Sequence, residues 1–370
     1  MIAVDWRLEP KFDETMSCHL WAIVRVLTWY GVADPAPLYG CACTFAADLG
    51  GPLPDVAFWP PDWIPAAERI FGMKLGEVDR DDFARGWAEV VGRLGAGHPT
   101  IIIANVYHLP HTIHFGRSNF GHCVTVVGYD EARREAHLVD NGVACWGGTI
   151  PMDQLEQACD LRQLPNGRDA RLRYFDLLPP TRPVTIDAVA AADAAAVILA
   201  IQRGIAGTDP IYDAHPGHRR RGAAGIAALA ASLAELAAAL GAGVGQGAPG
   251  QAAPGREPLR DEATRDCFSR LCLATYAVGE LRLGAGRFIK ALLDQGRLAA
   301  AQDAAQTAVD CLAESNRLWR LTSMMYLKAL AWDGASIAAR IAGRLHEIAG
   351  LEERAGALLP QAAAAVCQDQ

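Results

Sequence analysis

The 370-residue chain has no excess of positive charge. Thirty-four Lys and Arg stand against 42 Asp and Glu, a net charge of −8, so no chain-wide phosphate footprint exists and nucleic-acid binding is not expected. The one basic cluster, Arg219-Arg220-Arg221, reads as a solvated helix start. No stretch of 18 apolar residues is free of charges or helix breakers, so no membrane span is expected. The opening MIAVDWRLEPKFDE has neither the cationic segment nor the apolar run of a secretory signal, and a cytoplasmic location is expected. Ten cysteines include no C-x-x-C pair, which removes the usual support for a structural zinc site. They are expected to be buried apolar side chains or free thiols. The nucleophile motif G-x-S-x-G is absent, and GAGR (284–287) lacks the Lys-Ser/Thr of a phosphate loop. No cofactor is expected.

What is present divides in two. A chain this long favours two domains, and PPTRPV (179–184) marks the boundary, because three prolines in six residues end regular structure. Residues 1–180 mix helix and strand. CHLWAIVRVLTWY (18–30) carries Leu20, Ile23, Val24 and Leu27 at helical spacing, with Gly31 as a stop. Residues 34–65 are Pro- and Gly-rich and read as long loops. A helix over 81–94 leads into PTIIIANVYHLP, a buried strand, and ARLRYFDLL (170–178) predicts another. Residues 184–370 read as a helical bundle. Ile226, Leu229, Leu233, Leu236 and Leu240 form one stripe. A low-complexity stretch over 241–258 predicts a mobile loop. Three or more helices follow, with Trp319, Met324, Met325 and Trp332 as core candidates. The fold class expected is α+β, with a mostly antiparallel sheet followed by an all-α domain.

Candidate chemistry gathers at three residues. A thiol attacks acyl groups as its thiolate, which a helix N-terminus and a neighbouring imidazole both stabilise. Cys18 opens the first predicted helix, after the cap candidates Thr15 and Ser17. His122 begins the strand of HCVTVVGYDEARREAHLVDNG (122–142), and Asp140 ends its hairpin partner. A register with Asp140 opposite Val124 makes His122 and Asp140 diagonal neighbours on one face. A carboxylate there orients the imidazole and stabilises its cation. Asp130 is read as a turn residue. The chain order nucleophile, His, Asp is that of papain-like enzymes. His108, His111 and His114 form H-x-x-H-x-x-H, a competing metal-ligand pattern, but a proline-containing loop does not aim three-residue spacing at one point.

The stretch IIIANVYHLPH…HFGRSNFGHCVTVVGYDEARREAHLVD resembles the N-terminal domain of the butirosin biosynthesis protein H family. LRLGAGRFIKALLDQG and AAQTAVDCLAESNRLWRLTSMMY are similar to the helical domain that follows in those proteins. The resemblance covers most of the chain, with the 30s to 80s and the low-complexity stretch matching poorly. It implies a papain-like cysteine acyltransferase: Cys18 as nucleophile, His122 as base, Asp140 as its orienter. The implied donor is an acyl or peptidyl carrier protein bearing a phosphopantetheine thioester, and the implied acceptor is a small-molecule amine or the acyl chain itself. Three positions depart from the pattern. His111 replaces an aromatic residue, Asn105 an acidic one, and Phe12 the glutamine that supplies an oxyanion donor in papain relatives, leaving the Cys18 N–H and an unidentified second donor.

The expected activity is acyl transfer or chain-releasing cyclisation in natural-product biosynthesis. Hydrolysis by the same residues, as a peptidase, amidase or thioesterase, is the first rival. A non-catalytic scaffold or metal-binding protein is the second. The helical half is expected to wall the acyl pocket and to contribute to a homodimer.

Overall fold

The computed structural model describes all residues except 5, 7–17, 33–42, 58–67, 69–71, 141–145, 165–168, 211–219, 245–261, 332–333 and 369–370. In chain order the elements are β1 (Ile2–Ala3), α1 (Cys18–Trp29), β2 (Ala46–Asp48), β3 (Asp55–Ala57), β4 (Leu75–Arg80), α2 (Phe83–Gly95), β5 (Thr100–Asn105), β6 (Gly121–Asp130), β7 (Glu135–Asp140), β8 (Trp146–Pro151), α3 (Met152–Cys159) and β9 (Leu172–Leu177). There follow α4 (Ala191–Ala206), β10 (Arg220–Arg221), α5 (Gly222–Val244), α6 (Glu262–Asp294), α7 (Gln302–Ala331) and α8 (Gly334–Gln368). The fold is α+β, an antiparallel-sheet region followed by a helical one.

Two compact units emerge: Met1–Pro35 with Ala67–Val184, and Ala36–Ala66 with Thr185–Gln370. The first is built on a sheet of strand order β4-β9-β5-β6-β7-β8, with β1 pairing to β6 beyond the end of β5. Every pairing in it is antiparallel. Strand alternation separates its two faces. Ile102, Val124, Val126, Leu138 and Tyr174 point to one face and pack with Phe83, Trp87, Val90 and Leu94 of α2 and with Met152 and Leu155 of α3. Asp82 starts α2 by accepting from Arg85 N at 2.9 Å. Phe175, next to Tyr174, faces the other way and meets the His19 ring of α1 at 4.9 Å. Helix α1 therefore lies on the opposite face. A bulge between Val126 and Gly128 shifts the β6–β7 register. A Cβ at Gly128 would stand 3.0 Å from Ile2 O, so glycine lets β1 approach there.

The second unit corrects several expectations. Residues 36–66 group with the helices rather than with the sheet half. The stretch read as loops holds β2 and β3, which pair with each other, and β10 pairs with β2 through Arg220↔Ala47 and Arg221↔Ala46. Arg220 and Arg221 thus form a short strand rather than a helix start. Phe45, just before β2, meets the buried Trp319 at 5.7 Å and ties this small sheet to the bundle core. Met325 is buried, but Met324 is 54 % exposed, because adjacent helix residues cannot both face the core. Trp332 and residues 245–258 lie outside the described residues, while 241–244 continue α5.

Helix α5 is long and apolar enough over Gly222–Leu240 to cross a membrane by length and composition, although the stretch is not free of charge, since it contains Glu235. Here Ile226, Leu229, Ala230 and Leu233 are buried among the bundle helices, with Leu236 and Leu240 packed against them. Inside the bundle, Arg282 and Glu352 form a fully buried bidentate pair, and Ser315 and Trp319 also donate to Glu352 Oε1 at 2.8 and 3.0 Å. Such a network satisfies the buried charge and favours one packing arrangement of the helices.

Candidate active site

Cys18 is the first residue of α1; Thr15, Ser17 and Phe12 lie outside the described residues. The helix is held by Trp21, Ala22, Ile23, Val26 and Leu27, all buried. Just past its far end, Tyr30 donates its hydroxyl to Leu177 O at 3.1 Å. The position of the Cys18 thiol is thus set by a helix anchored at both ends of its apolar stripe.

His122 and Asp140 come from adjacent strands. Thr125 faces Val139, and continuing that ladder one step, past the bulge at Val126/Gly128, puts Asp140 opposite Val124. His122 and Asp140 are then diagonal neighbours on one face. His122 Nε2 lies 2.8 Å from Asp140 Oδ2, with the carboxylate only 4 % exposed. A carboxylate only accepts, so the proton of this bond sits on Nε2. Nδ1 is left as the second ring nitrogen, and the His122 ring is also hydrogen-bonded to Cys18. The structure thus brings Cys18, His122 and Asp140 into one chain of contacts at the end of the sheet.

The electrostatics follow from those contacts. Cys18 also accepts a hydrogen bond from the thiol of Cys123, which points to the α1 face. That bond pulls the Cys18 pKa well below the ordinary thiol value. Burial opposes it, and the hydrogen bond and charge of His122 reinforce it. Burial also opposes the His122 imidazolium, but the bonds to Asp140 and Cys18 and the charges of both outweigh it and hold the ring at about 10. Cys123, as the donor, is pushed well above the thiol range, first by its bond to Cys18 and then by burial. Burial drives Cys43 up to about 12 and Cys267 to about 11. These shifts favour a Cys18 thiolate beside a His122 imidazolium, with Cys123 as the protonated partner. Accordingly, Cys123→Ala is expected to move the midpoint of Cys18 alkylation by iodoacetamide up by about one pH unit. An unchanged midpoint contradicts the assigned donor.

The loop between β5 and β6 borders this cluster. Asn105 accepts from Tyr107 N and donates to Asn119 Oδ1, both at 3.0 Å, so an amide rather than an acid suits the position. The three imidazoles of H-x-x-H-x-x-H diverge. His108 Nε2 meets Gln163 at 3.1 Å, His111 Nε2 meets Asp140 Oδ2 at 2.9 Å, and His114 lies edge-on to Phe120. Among the described residues no group of three or more His, Cys, Asp or Glu is arranged to hold a metal. The role of Cys123 and the contact of His111 with Asp140 had no signal in the sequence: the first depends on where α1 docks, the second on the path of an aperiodic loop.

Together these features define an α+β protein with a thiol, an imidazole and a carboxylate in contact where the first helix meets the sheet. Residues 50–141 match the family model described as butirosin biosynthesis protein H, N-terminal. The match includes the 50s to 80s, where the resemblance looked weakest. It takes in His122 and Asp140 and extends over neither Cys18 nor the helical half. No curated protein matches the chain.

Proposed function

We propose that this protein is a cysteine-dependent acyltransferase that takes an acyl group from a carrier-protein thioester. One observation carries the reading: a helix-opening cysteine with a depressed pKa is hydrogen-bonded to an imidazole that a buried carboxylate holds at 2.8 Å. The chain order Cys, His, Asp, which is that of papain-like enzymes, supports the reading, as does the family's name, which refers to the biosynthesis of an antibiotic.

In the first half-reaction the Cys18 thiolate bonds to the thioester carbonyl carbon, and the carbon–sulfur bond to phosphopantetheine breaks. The departing thiolate takes the proton of the His122 imidazolium. In the second, an amine, or a nucleophile within the acyl chain, attacks the acyl-enzyme. His122 takes the acceptor's proton, and Cys18 leaves as thiolate. The first N–H groups of a helix have no partner within it, and those at the head of α1 are assigned to the developing oxyanion. Asp140 keeps the ring in place through both transfers.

The test is intact-protein mass after incubation with an N-acetylcysteamine thioester, which mimics the phosphopantetheine arm. A stable adduct on Cys18 that an added amine discharges is expected. An adduct lost to water at the same rate with or without amine makes the protein a hydrolase. No adduct overturns the acyl-enzyme.

A further inference from the structure

His111 is the residue that the acyl-transfer scheme leaves unused although it touches the same carboxylate. Its Nε2 lies 2.9 Å from Asp140 Oδ2, the oxygen that also holds His122 at 2.8 Å. Its side chain is only 3 % exposed. Nδ1 is buried without a hydrogen-bond partner, so the proton belongs on Nε2, where the carboxylate accepts it. The ring lies flat on Trp146, with centroids 3.9 Å apart and planes 1° from parallel. Trp146 is paired directly across from Asp140, and its indole reaches back over Gly148, where any Cβ would collide with the Trp146 ring. The approach of His111 is therefore built from three directions. Leu109 buries the loop beside it, Thr112 Oγ1 donates to Leu109 O at 3.0 Å, and Trp146 backs the ring.

We propose that His111 is a positioning residue that divides the Asp140 carboxylate oxygen between two imidazoles and so limits how tightly His122 holds its proton. Each catalytic cycle needs His122 to give a proton to the departing thiol and to recover one from the acceptor. A carboxylate given wholly to His122 would favour the imidazolium and slow the first of these transfers. A second N–H on the same oxygen spreads its charge and weakens that hold. The other groups around His122 are Cys18 on α1, Cys123 on β6 and His114 on the same loop as His111. Glu77 on β4 acts on Cys123 and His19. The consequence for turnover rests on the acyl-transfer reading, but the hold on the proton does not.

The experiment is an NMR titration of ring-labelled histidine from pH 6 to 11 on the full chain, with the His122 signal assigned by its loss in His122→Asn. In His111→Phe, which keeps a flat ring on Trp146 and removes the N–H, the His122 midpoint is expected to rise by about half a unit to one unit. In His111→Gln, whose amide can donate to Asp140, it is expected to return toward the wild-type value. If the Phe variant does not fold, His111→Leu removes the same donor and is held to the same criterion. A midpoint that stays put or falls in the donor-less variant overturns the proposal, as does a loss of stability with no shift. Because the titration uses no substrate, it reads His111 even if the acyl adduct never forms.

Discussion

Cys18→Ala is expected to lose acyl transfer by roughly a thousandfold or more while the protein still folds. Among the described residues Cys123 is the thiol beside it, and its pKa is driven up by its bond to Cys18 and by burial, so it is a poor replacement nucleophile. The structural cost is small. The substitution removes one sulfur at a half-buried site, whereas Trp21, Ile23, Val26 and Leu27 go on anchoring the helix. A loss of about 1 kcal/mol or less is expected. The checks are turnover and the thermal midpoint measured on the same preparation. Residual activity near wild type would mean that another residue carries the acyl group.

Replacing the base is expected to cost nearly as much, and replacing its orienter less. His122→Ala removes the proton donor of one half-reaction and the acceptor of the other, together with the hydrogen bond that helps keep Cys18 a thiolate. A loss of roughly a hundredfold to ten-thousandfold is expected. Asp140→Asn leaves an amide oxygen able to accept from Nε2 but removes the charge that stabilises the imidazolium. The His122 midpoint should then fall from about 10 and the rate drop by about tenfold to a hundredfold, matching one to two pK units of lost stabilisation. The sign fixes where the loss appears. Because the folded protein raises the His122 pKa, the paired thiolate–imidazolium state persists up to the raised value, and in Asp140→Asn it ends at lower pH. Rate profiles of adduct formation against pH measure this. An Asn variant weaker than the Ala variant, or with an unmoved basic limb, contradicts the assigned order.

Much of this arrangement was readable before any coordinates. The apolar spacing of residues 18–30 gives a helix with Cys18 at its head, and α1 runs Cys18–Trp29. The two apolar runs around DEARRE give a hairpin, but its turn register, Asp130↔Glu135, would set Asp140 opposite Thr125, and the bulge between Val126 and Gly128, which the sequence does not announce, shifts it to Val124. What the sequence hides is set by contacts between elements. The docking of α1 puts Cys123 against Cys18. A loop with no periodicity delivers His111 to Asp140. Strands of two or three residues, such as β2, β3 and β10, are too short to show alternation, and Pro and Gly around them read as loop. The grouping of residues 36–66 with the helices follows from Phe45 packing on Trp319, a contact more than 270 positions apart.

The central claim is that Cys18 is an activated thiolate among otherwise ordinary thiols, and competitive labelling tests it most directly. Cys367 is exposed and serves as the internal reference, while burial keeps Cys43, Cys159 and Cys267 protonated. Limiting iodoacetamide at pH 6, followed by peptide mapping, should label Cys18 first and by roughly tenfold or more over Cys367. Raising the pH to 9 should narrow that ratio, because a thiol already ionised at pH 6 gains little. Labelling of Cys367 ahead of Cys18 at pH 6, or a Cys18 rate that climbs with pH as an ordinary thiol does, would contradict the account.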